Sequence, residues 1–251
     1  MSSTAAALPA SARVGNREER VFFSIYALAL ALVIFPGFAP SFYLRGVVPP
    51  YHRLNPLRPE VILHAILAGT FILLYPLQTW LIATGRRTWH IRLGKWGFAL
   101  GLLMVPVGYW VAASFYRVLA KLPPNFGIKP ALVMAAPLPD IVVFAILLAV
   151  AWRKRFDIQT HKRLMILIAC GLADPAISRF PFWSAELLPS AVTFSTVVPL
   201  WAWDLARNRA LHWATLFGSG LLLAKLSGRL LFAATEGWAS LVAALPGFGA
   251  S

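Results

Sequence analysis

Long apolar stretches separated by short polar turns make up most of the chain. Each stretch is close to the roughly 20 helical residues needed to cross the hydrocarbon layer of a membrane. The pattern predicts an all-α, polytopic transmembrane helix bundle with seven spans. The predicted spans are residues 21–44, 59–83, 93–117, 137–153, 162–179, 187–204 and 211–229.

The two ends of the chain differ from this bundle. Residues 1–20 are rich in alanine and serine at their start and are expected to form a disordered tail. Residues 230–251 are expected to form an interfacial C-terminal segment, with an amphipathic helix over 230–247. The transmembrane bundle itself is predicted to occupy residues 21–229.

Composition changes the picture in two ways. Charged residues are 13% of the chain and hydrophobic residues 59%, whereas soluble domains carry about 25% charged residues. The net charge of +14 would suggest nucleic acid in a soluble protein. Here the basic residues lie at the ends of apolar stretches, as expected for contact with anionic lipid headgroups. We therefore expect the bilayer as partner and no nucleic acid. Further membrane subunits or a second copy of the chain remain open.

The distribution of lysine and arginine predicts the orientation. With the N-terminus in the cytoplasm, 14 of the 23 basic residues fall on the inner side and 9 on the outer side. The two densest clusters, residues 86–95 and 153–163, then share the cytoplasmic compartment. This asymmetry predicts a multi-pass protein of the bacterial cytoplasmic (inner) membrane with a cytoplasmic N-terminus.

Four titratable residues, whose burial in a membrane span costs free energy, are predicted at similar depth near the outer face: His64, Asp140, Asp174 and Arg179. Because a charge inside a span is expensive, such residues normally face the bundle interior and have partners. His64 and Arg179 are the expected partners of the two carboxylates. Three interpretations stay open: a structural ion-pair cluster, a proton-relay or ligand site, and a metal site of one histidine and two carboxylates.

A second group lies near the inner face. His90 and His161 each open a predicted inward-starting helix, so they share a depth, as two axial ligands of one haem b would. The group also contains Gln78, Arg87, Arg92 and Arg163 as candidates for binding an anionic or quinone headgroup. The alternatives are a basic collar at the lipid phosphates, haem, and a headgroup site.

Two further basic residues, Lys225 and Arg229, interrupt the last predicted span. They lie four residues apart, on one helical face. The simplest interpretation is that both extend towards the headgroups at the far surface. The course of the chain around them is not settled by the pattern.

Several of these residues stand in one ordered pattern. It consists of Leu63-His64, Gln78, His90-x-Arg92-Leu93-Gly94, Asp140, His161-Lys-Arg-Leu-Met165, Ala173-Asp174 and Ala176-Ile177-x-Arg179-Phe-Pro181. This pattern resembles a widespread family of bacterial multi-pass membrane proteins that carries only a domain-of-unknown-function label. The resemblance covers about residues 60–182. It implies a shared site at His64, Gln78, His90, Asp140, His161, Asp174 and Arg179, and it invites comparison with four-helix b-type cytochromes. One departure is Ile91, where the family has a basic residue.

Motifs of soluble enzymes are missing: there is no Walker A, Gly-x-Ser-x-Gly, His-Glu-x-x-His or dinucleotide fingerprint. We therefore expect a non-enzymatic binding or accessory component of the membrane, although an enzyme is not excluded. One alternative is a haem-b electron-transfer protein that uses His90 and His161. The other is a proton-coupled transporter or membrane-embedded metal hydrolase that uses His64, Asp140 and Asp174.

Overall fold

A computed structural model of the protein describes residues 17–50, 56–123, 127–182 and 188–248. Within these ranges the fold is all-helical and contains no strand, which confirms the predicted class. The helices are α1 (Arg17–Phe38, followed by a π-helix over Ala39–Tyr43), α2 (Pro59–Ala83), α3 (Arg87–Ala120), α4 (Pro130–Met134), α5 (Pro137–Arg153), α6 (Ile158–Ile177), α7 (Leu188–Ser195), α8 (Val198–Asn208), α9 (Trp213–Phe232) and α10 (Glu236–Ala244).

Five stretches of the described chain are long and apolar enough to cross a membrane. They are Arg17–Tyr43, Pro59–Ala83, Arg87–Ala120, Pro130–Arg153 and Trp213–Phe232. Each contains or closely matches one of the predicted spans.

The fifth predicted span corresponds to α6, which differs in character from these five. Twelve of its 20 residues are buried, and it packs against α1, α5, α7 and α9. Its charged residues, Lys162, Arg163 and Asp174, therefore lie mostly against protein rather than lipid. This helix forms the centre of the bundle, and glycine permits its closest contact: a Cβ on Gly37 of α1 would lie 2.4 Å from the Ala176 carbonyl oxygen.

The prediction of one continuous helix over residues 187–204 is wrong. The chain turns at Thr196 and Val197, so that α7 and α8 are separate. An unpaired carbonyl would be costly in an apolar environment, but the Thr196 carbonyl accepts a hydrogen bond from the Tyr26 hydroxyl. Because α7 contacts Asp174 near the end of α6 and α8 contacts Arg163 near its start, the pair runs antiparallel to α6 along its length.

Both basic turns lie at one end of the bundle. Phe98 of α3 packs against Trp152 of α5, with ring centroids 4.9 Å apart, and against His161 of α6 at 6.0 Å. We call this end, with the turns 84–87 and 154–157, the basic end. The opposite end, where α5 begins and α6 finishes, is called the cleft end.

The described C-terminal segment is docked on the protein rather than free at its surface. Val242 of α10 and Phe248 are fully buried in a small core with residues of α3 and α4. The Trp238 indole donates a hydrogen bond to the Ala131 carbonyl, and the Arg117 guanidinium donates one to the Gly247 carbonyl. At the other terminus, residues 17–20, predicted as tail, form the first turn of α1. The predicted disorder of residues 1–16 lies outside the described residues.

Asp157 caps the N-terminus of α6. Its carboxylate accepts hydrogen bonds from the Thr160 backbone amide at 3.2 Å and from the Thr160 hydroxyl at 2.6 Å. Partial burial opposes ionisation of Asp157, but the hydrogen bonds from Thr160 outweigh it and hold the pKa of this carboxyl below its usual value.

Substitution of Asp157 by alanine should destabilise the protein by about 1 kcal/mol, as loss of an N-cap typically does. A lowered folded-state pKa means that this stabilisation is present above the unfolded value of about 3.9 and is lost as pH falls through the folded value. Thermal unfolding in detergent between pH 3 and pH 7 measures it. Asp157→Asn is the control: it keeps the cap but loses the pH dependence. Equal melting of Asp157→Ala and the wild type at pH 7 would contradict this role.

Candidate functional site

Two carboxylates and one ammonium meet at the cleft end of the bundle. The Lys225 Nζ lies 2.6 Å from Asp140 Oδ1 and 3.2 Å from Asp174 Oδ2. The Thr193 hydroxyl donates to the other oxygen of Asp174 at 3.1 Å. The Lys225 side chain is only 10% exposed, so this ion cluster is largely removed from water. We call Asp140, Asp174 and Lys225 the ion triad.

Each member of the triad comes from a different helix. Asp140 is in the first turn of α5, where the helix dipole favours a negative charge. Asp174 lies near the end of α6. Lys225 is 12 residues into α9, which places it about 18 Å along that helix from the basic end. Helix α5 packs antiparallel to α6 and α9, which are parallel to each other, and this packing brings together residues up to 85 positions apart in the chain.

The triad faces an open cleft. Including its mouth, the cleft encloses about 390 Å³. Its polar lining consists of the triad, Ser190, Thr193 and Arg229, and its apolar walls are Ala135, Ala136, Phe194, Leu222 and Leu226. The site therefore has both charged groups and access from outside the bundle.

One cation of the cleft is incompletely satisfied. Among the described residues, no hydrogen bond or ion pair reaches the Arg229 guanidinium, although Arg229 is close enough to Asp140 to interact electrostatically. Both carboxylates, by contrast, share the Lys225 ammonium.

The predicted counter-ions of this cluster were wrong. The Arg179 guanidinium instead donates to the Pro175 carbonyl and lies 4.5 Å from the Phe38 ring. The His64 Nδ1 is buried without a hydrogen-bond partner among the described residues. Asp140 and Asp174 do come together as expected, but Lys225 joins them.

The expectation that Lys225 extends to the far headgroups is corrected by the same contacts. Its side chain turns inward to the two carboxylates, because an ion pair within the bundle is available to it. Arg229, one helical turn further, lines the cleft. The sequence signal for Lys225 was present: two carboxylates in apolar helices required a cation at their depth.

A metal site of His64, Asp140 and Asp174 is not formed. No group of three or more His, Cys, Asp or Glu residues in the described chain is placed to hold a metal ion. The Lys225 ammonium occupies the position between the two carboxylates, and a positive side chain there opposes a cation. A hydrolase that uses these three residues as metal ligands therefore has no support in the described part of the chain.

At the basic end, Arg163 is part of a closed network. Its guanidinium donates to Asp204 Oδ1 from Nε at 2.9 Å and from Nη2 at 2.5 Å, and both side chains are almost fully buried. The second Asp204 oxygen accepts from the Thr215 hydroxyl at 2.6 Å and from the His212 amide at 3.0 Å. Gln159 accepts the remaining hydrogen bonds of Arg163. The predicted role of Arg163 in binding an anionic headgroup is corrected, because its donors are engaged inside the protein.

Gln78 and His90 connect α2 to α3. With its amide nitrogen towards α3, Gln78 donates to His90 Nδ1 at 2.7 Å and accepts from the Gly94 amide at 2.7 Å. The same Nδ1 lies 3.3 Å from the Gln78 backbone carbonyl oxygen, to which it donates in the other tautomer. Gln78 therefore closes the helical hairpin and is not free to bind a headgroup as predicted.

His161 makes a similar contact with a backbone carbonyl. Its Nδ1 lies 3.1 Å from the Ala151 carbonyl oxygen, which can only accept a hydrogen bond, so the Nε2 lone pair of His161 is free. The two imidazoles interact electrostatically, as their predicted common depth requires. When His90 donates to the Gln78 carbonyl, its Nε2 is free in the same way. Haem ligation by this pair stays a prediction.

Arg87 and Arg92 lie on the surface of the basic end. Both are exposed, and the Arg92 guanidinium is 5.7 Å from the centroid of the Trp89 ring. Neighbouring pairs are similar: Arg86 lies 4.8 Å from the Trp80 ring and Arg155 lies 4.4 Å from the Trp152 ring. Cations stacked on exposed aromatic rings are typical of the membrane–water interface.

No protein-family model, curated protein or solved structure matches this chain. Membership in the family that the sequence pattern resembles therefore stays a prediction, and the function has to be argued from the site itself.

Proposed function

We propose that this chain is a seven-span protein of the bacterial cytoplasmic membrane with its N-terminus in the cytoplasm. The five span-length stretches support five crossings. Two more crossings are supplied in this proposal by the buried helix α6 and by α7 and α8 together, which run antiparallel to α6. Each of these two units extends between the two ends of the bundle. The basic end is then cytoplasmic, and the cleft opens towards the outer face.

At that cleft we propose the binding of a polar solute coupled to the uptake and release of a proton. The observation that carries this function is the position of Lys225, shared between Asp140 and Asp174 in an open cleft. One ammonium between two carboxylates can remain paired when either carboxylate is protonated. A proton can therefore enter or leave without leaving a buried charge unpaired. An unpaired buried charge would be energetically unfavourable.

The Arg163–Asp204 network provides an internal comparison with a purely structural ion pair. That network is buried and fully hydrogen-bonded, as expected where ions only hold helices together. The ion triad instead lines an open cleft, and Lys225 is shared there between two carboxylates. Intramembrane ionisable groups with access to water are typical of proton and substrate pathways.

Proton exchange can be tested in liposomes that contain a pH-sensitive dye, with valinomycin and potassium clamping the membrane potential. After an external pH step, the wild type should equilibrate the internal pH faster than empty liposomes. Asp174→Asn should reduce this rate to that of empty liposomes, because Asn keeps the shape but cannot take up a proton.

Glu18→Gln is the matched control, because it removes a carboxylate from an exposed ion pair with Arg207 at the basic end. It should retain the wild-type rate. The proposed proton exchange is contradicted if the wild-type rate equals that of empty liposomes. It is also contradicted if the Asp174→Asn rate equals that of the wild type.

We also propose anionic lipid headgroups as partners of the basic end. Arg87 and Arg92 remain candidates there, with Arg86 and Arg155 added by their stacking on exposed tryptophans. These cations point away from the bundle core and have no need of internal counter-ions, so lipid phosphates suit them.

A further inference from the structure

The cleft has charged and polar groups that together specify a class of ligand. From them we infer that the cleft binds a small zwitterion, with the ligand's ammonium at Asp140 and its carboxylate or phosphate at Arg229. This inference rests on the proposed function of the cleft and names the chemistry of its solute.

The ammonium position follows from the exposure of Asp140. Lys225 Nζ lies between Asp174 Oδ2 at 3.2 Å and Asp140 Oδ1 at 2.6 Å, and this Asp140 oxygen is itself buried. The Asp140 side chain as a whole is 25% exposed, against 11% for Asp174. A second ammonium can therefore approach the exposed part of the Asp140 side chain from the cleft, while Lys225 stays shared between the two carboxylates.

The anion position follows from Arg229. Its guanidinium lines the same cleft and has no ion pair or hydrogen bond among the described residues. Arginine binds carboxylate and phosphate through paired N–H donors. The hydroxyl of Ser190, which is buried in the cleft wall, adds a neutral polar group.

Charge balance selects a zwitterion over a simple ion. Asp140, Asp174, Lys225 and Arg229 together carry no net formal charge. A lone ammonium or a lone anion would bring an uncompensated charge into a site of low dielectric. A zwitterion pairs Asp140 and Arg229 at once, and then every charge of the protein and the ligand has a partner.

The cleft is open at its mouth, so a ligand can bind with only its charged ends against the protein. Two sources share the required chemistry: a free solute, such as an amino acid or glycerophosphoethanolamine, and the headgroup of phosphatidylethanolamine.

The test uses the full-length protein in phosphatidylcholine nanodiscs and measures ligand-induced shifts in thermal unfolding. Alanine and glycerophosphoethanolamine are the zwitterionic probes, ethylamine is the cationic probe, and acetate and inorganic phosphate are the anionic probes. At equal concentrations, at least one zwitterion should raise the melting temperature, and the single-charge probes should leave it unchanged. Equal shifts with ethylamine or acetate, or no shift with either zwitterion, would overturn the inference.

A second set of nanodiscs containing phosphatidylethanolamine distinguishes the two sources. If the headgroup is the ligand, these nanodiscs stabilise the protein and weaken the effect of free glycerophosphoethanolamine. If the ligand is a free solute, the effect of the soluble zwitterion is the same in both lipids. Either result supports the inference and assigns its source.

Arg229→Gln should weaken zwitterion binding by about tenfold or more, the effect of losing a charged hydrogen bond. Lys121→Gln, which removes an exposed basic residue at the same end of the bundle, should not. Arg229→Lys keeps the charge but loses the paired donors, so it should bind with intermediate affinity. An unchanged affinity in Arg229→Gln would overturn the assigned anion position.

The two proposals fail in different ways. Loss of zwitterion selectivity, with Asp174-dependent proton flux intact, overturns only the ligand class. Absence of Asp174-dependent flux overturns the proton exchange, whatever the binding assay shows.

Discussion

Asparagine in place of Asp204 should lower the free energy of unfolding by about 3–5 kcal/mol, the cost of breaking a buried ion pair. Asp204 is fully buried and accepts from both Arg163 and Thr215. Without the carboxylate charge, the Arg163 guanidinium would be left uncompensated between α6 and α8. Thermal unfolding in detergent can be followed with a thiol-reactive dye, because Cys170 is the only cysteine of the chain and is fully buried.

Two variants control this measurement. Glu18→Gln breaks an exposed ion pair, with side chains 62% and 46% accessible, and should cost about 0–1 kcal/mol. The double variant Arg163→Met with Asp204→Leu removes both charges and should be more stable than Asp204→Asn alone. The role assigned to this network is wrong if Asp204→Asn unfolds at the same temperature as Glu18→Gln.

Methionine in place of Lys225 should also be costly, by about 3 kcal/mol, because two neighbouring carboxylates lose their shared cation. The same change should abolish proton exchange in liposomes, since Asp140 and Asp174 can then no longer be ionised together at low cost. Thermal unfolding and the flux assay measure the two effects on one preparation.

The double variant Lys225→Met with Asp140→Asn distinguishes charge from packing. It removes one of the two uncompensated carboxylates, so it should recover part of the lost stability, and the difference gives the coupling between these residues. Lys225→Arg keeps the positive charge and should stay closer to the wild type in stability than Lys225→Met. Equal destabilisation in Lys225→Met and the double variant would show that charge is not what Lys225 contributes.

The free-energy cost of burying a charge in an apolar span correctly singled out Asp140 and Asp174 as site residues. It did not predict which residues they contact. Asp140 and Asp174 stand out in apolar stretches because an unpaired carboxylate there is unfavourable, and the structure brings both to one cleft. Lys225 was assigned to the headgroups because a long side chain near a span end can usually reach them. The groups that Lys225 actually contacts depend on the packing of α9 beside α5 and α6, and this packing is a long-range property of the fold.

Arg163 shows the same limit at the basic end. In the sequence it is one of several adjacent cations, and nothing local separates it from Lys162 or Arg92. It becomes a buried structural residue because α8, about 40 positions later, brings Asp204 against it at 2.5 Å. Arg92 has no such carboxylate neighbour among the residues that the structure describes, and it remains exposed.

The sequence by itself determined the class of this protein: helical, apolar and built of membrane-spanning lengths, with its cations grouped at the turns. These properties depend on hydropathy and on helix length, which are local. Only the tertiary structure decided the break between α7 and α8, the burial of Arg163 and the capture of Lys225 by two carboxylates. Those outcomes depend on which helices pack together. A charge that is removed from water forms its ion pair with the oppositely charged group that this packing places nearby.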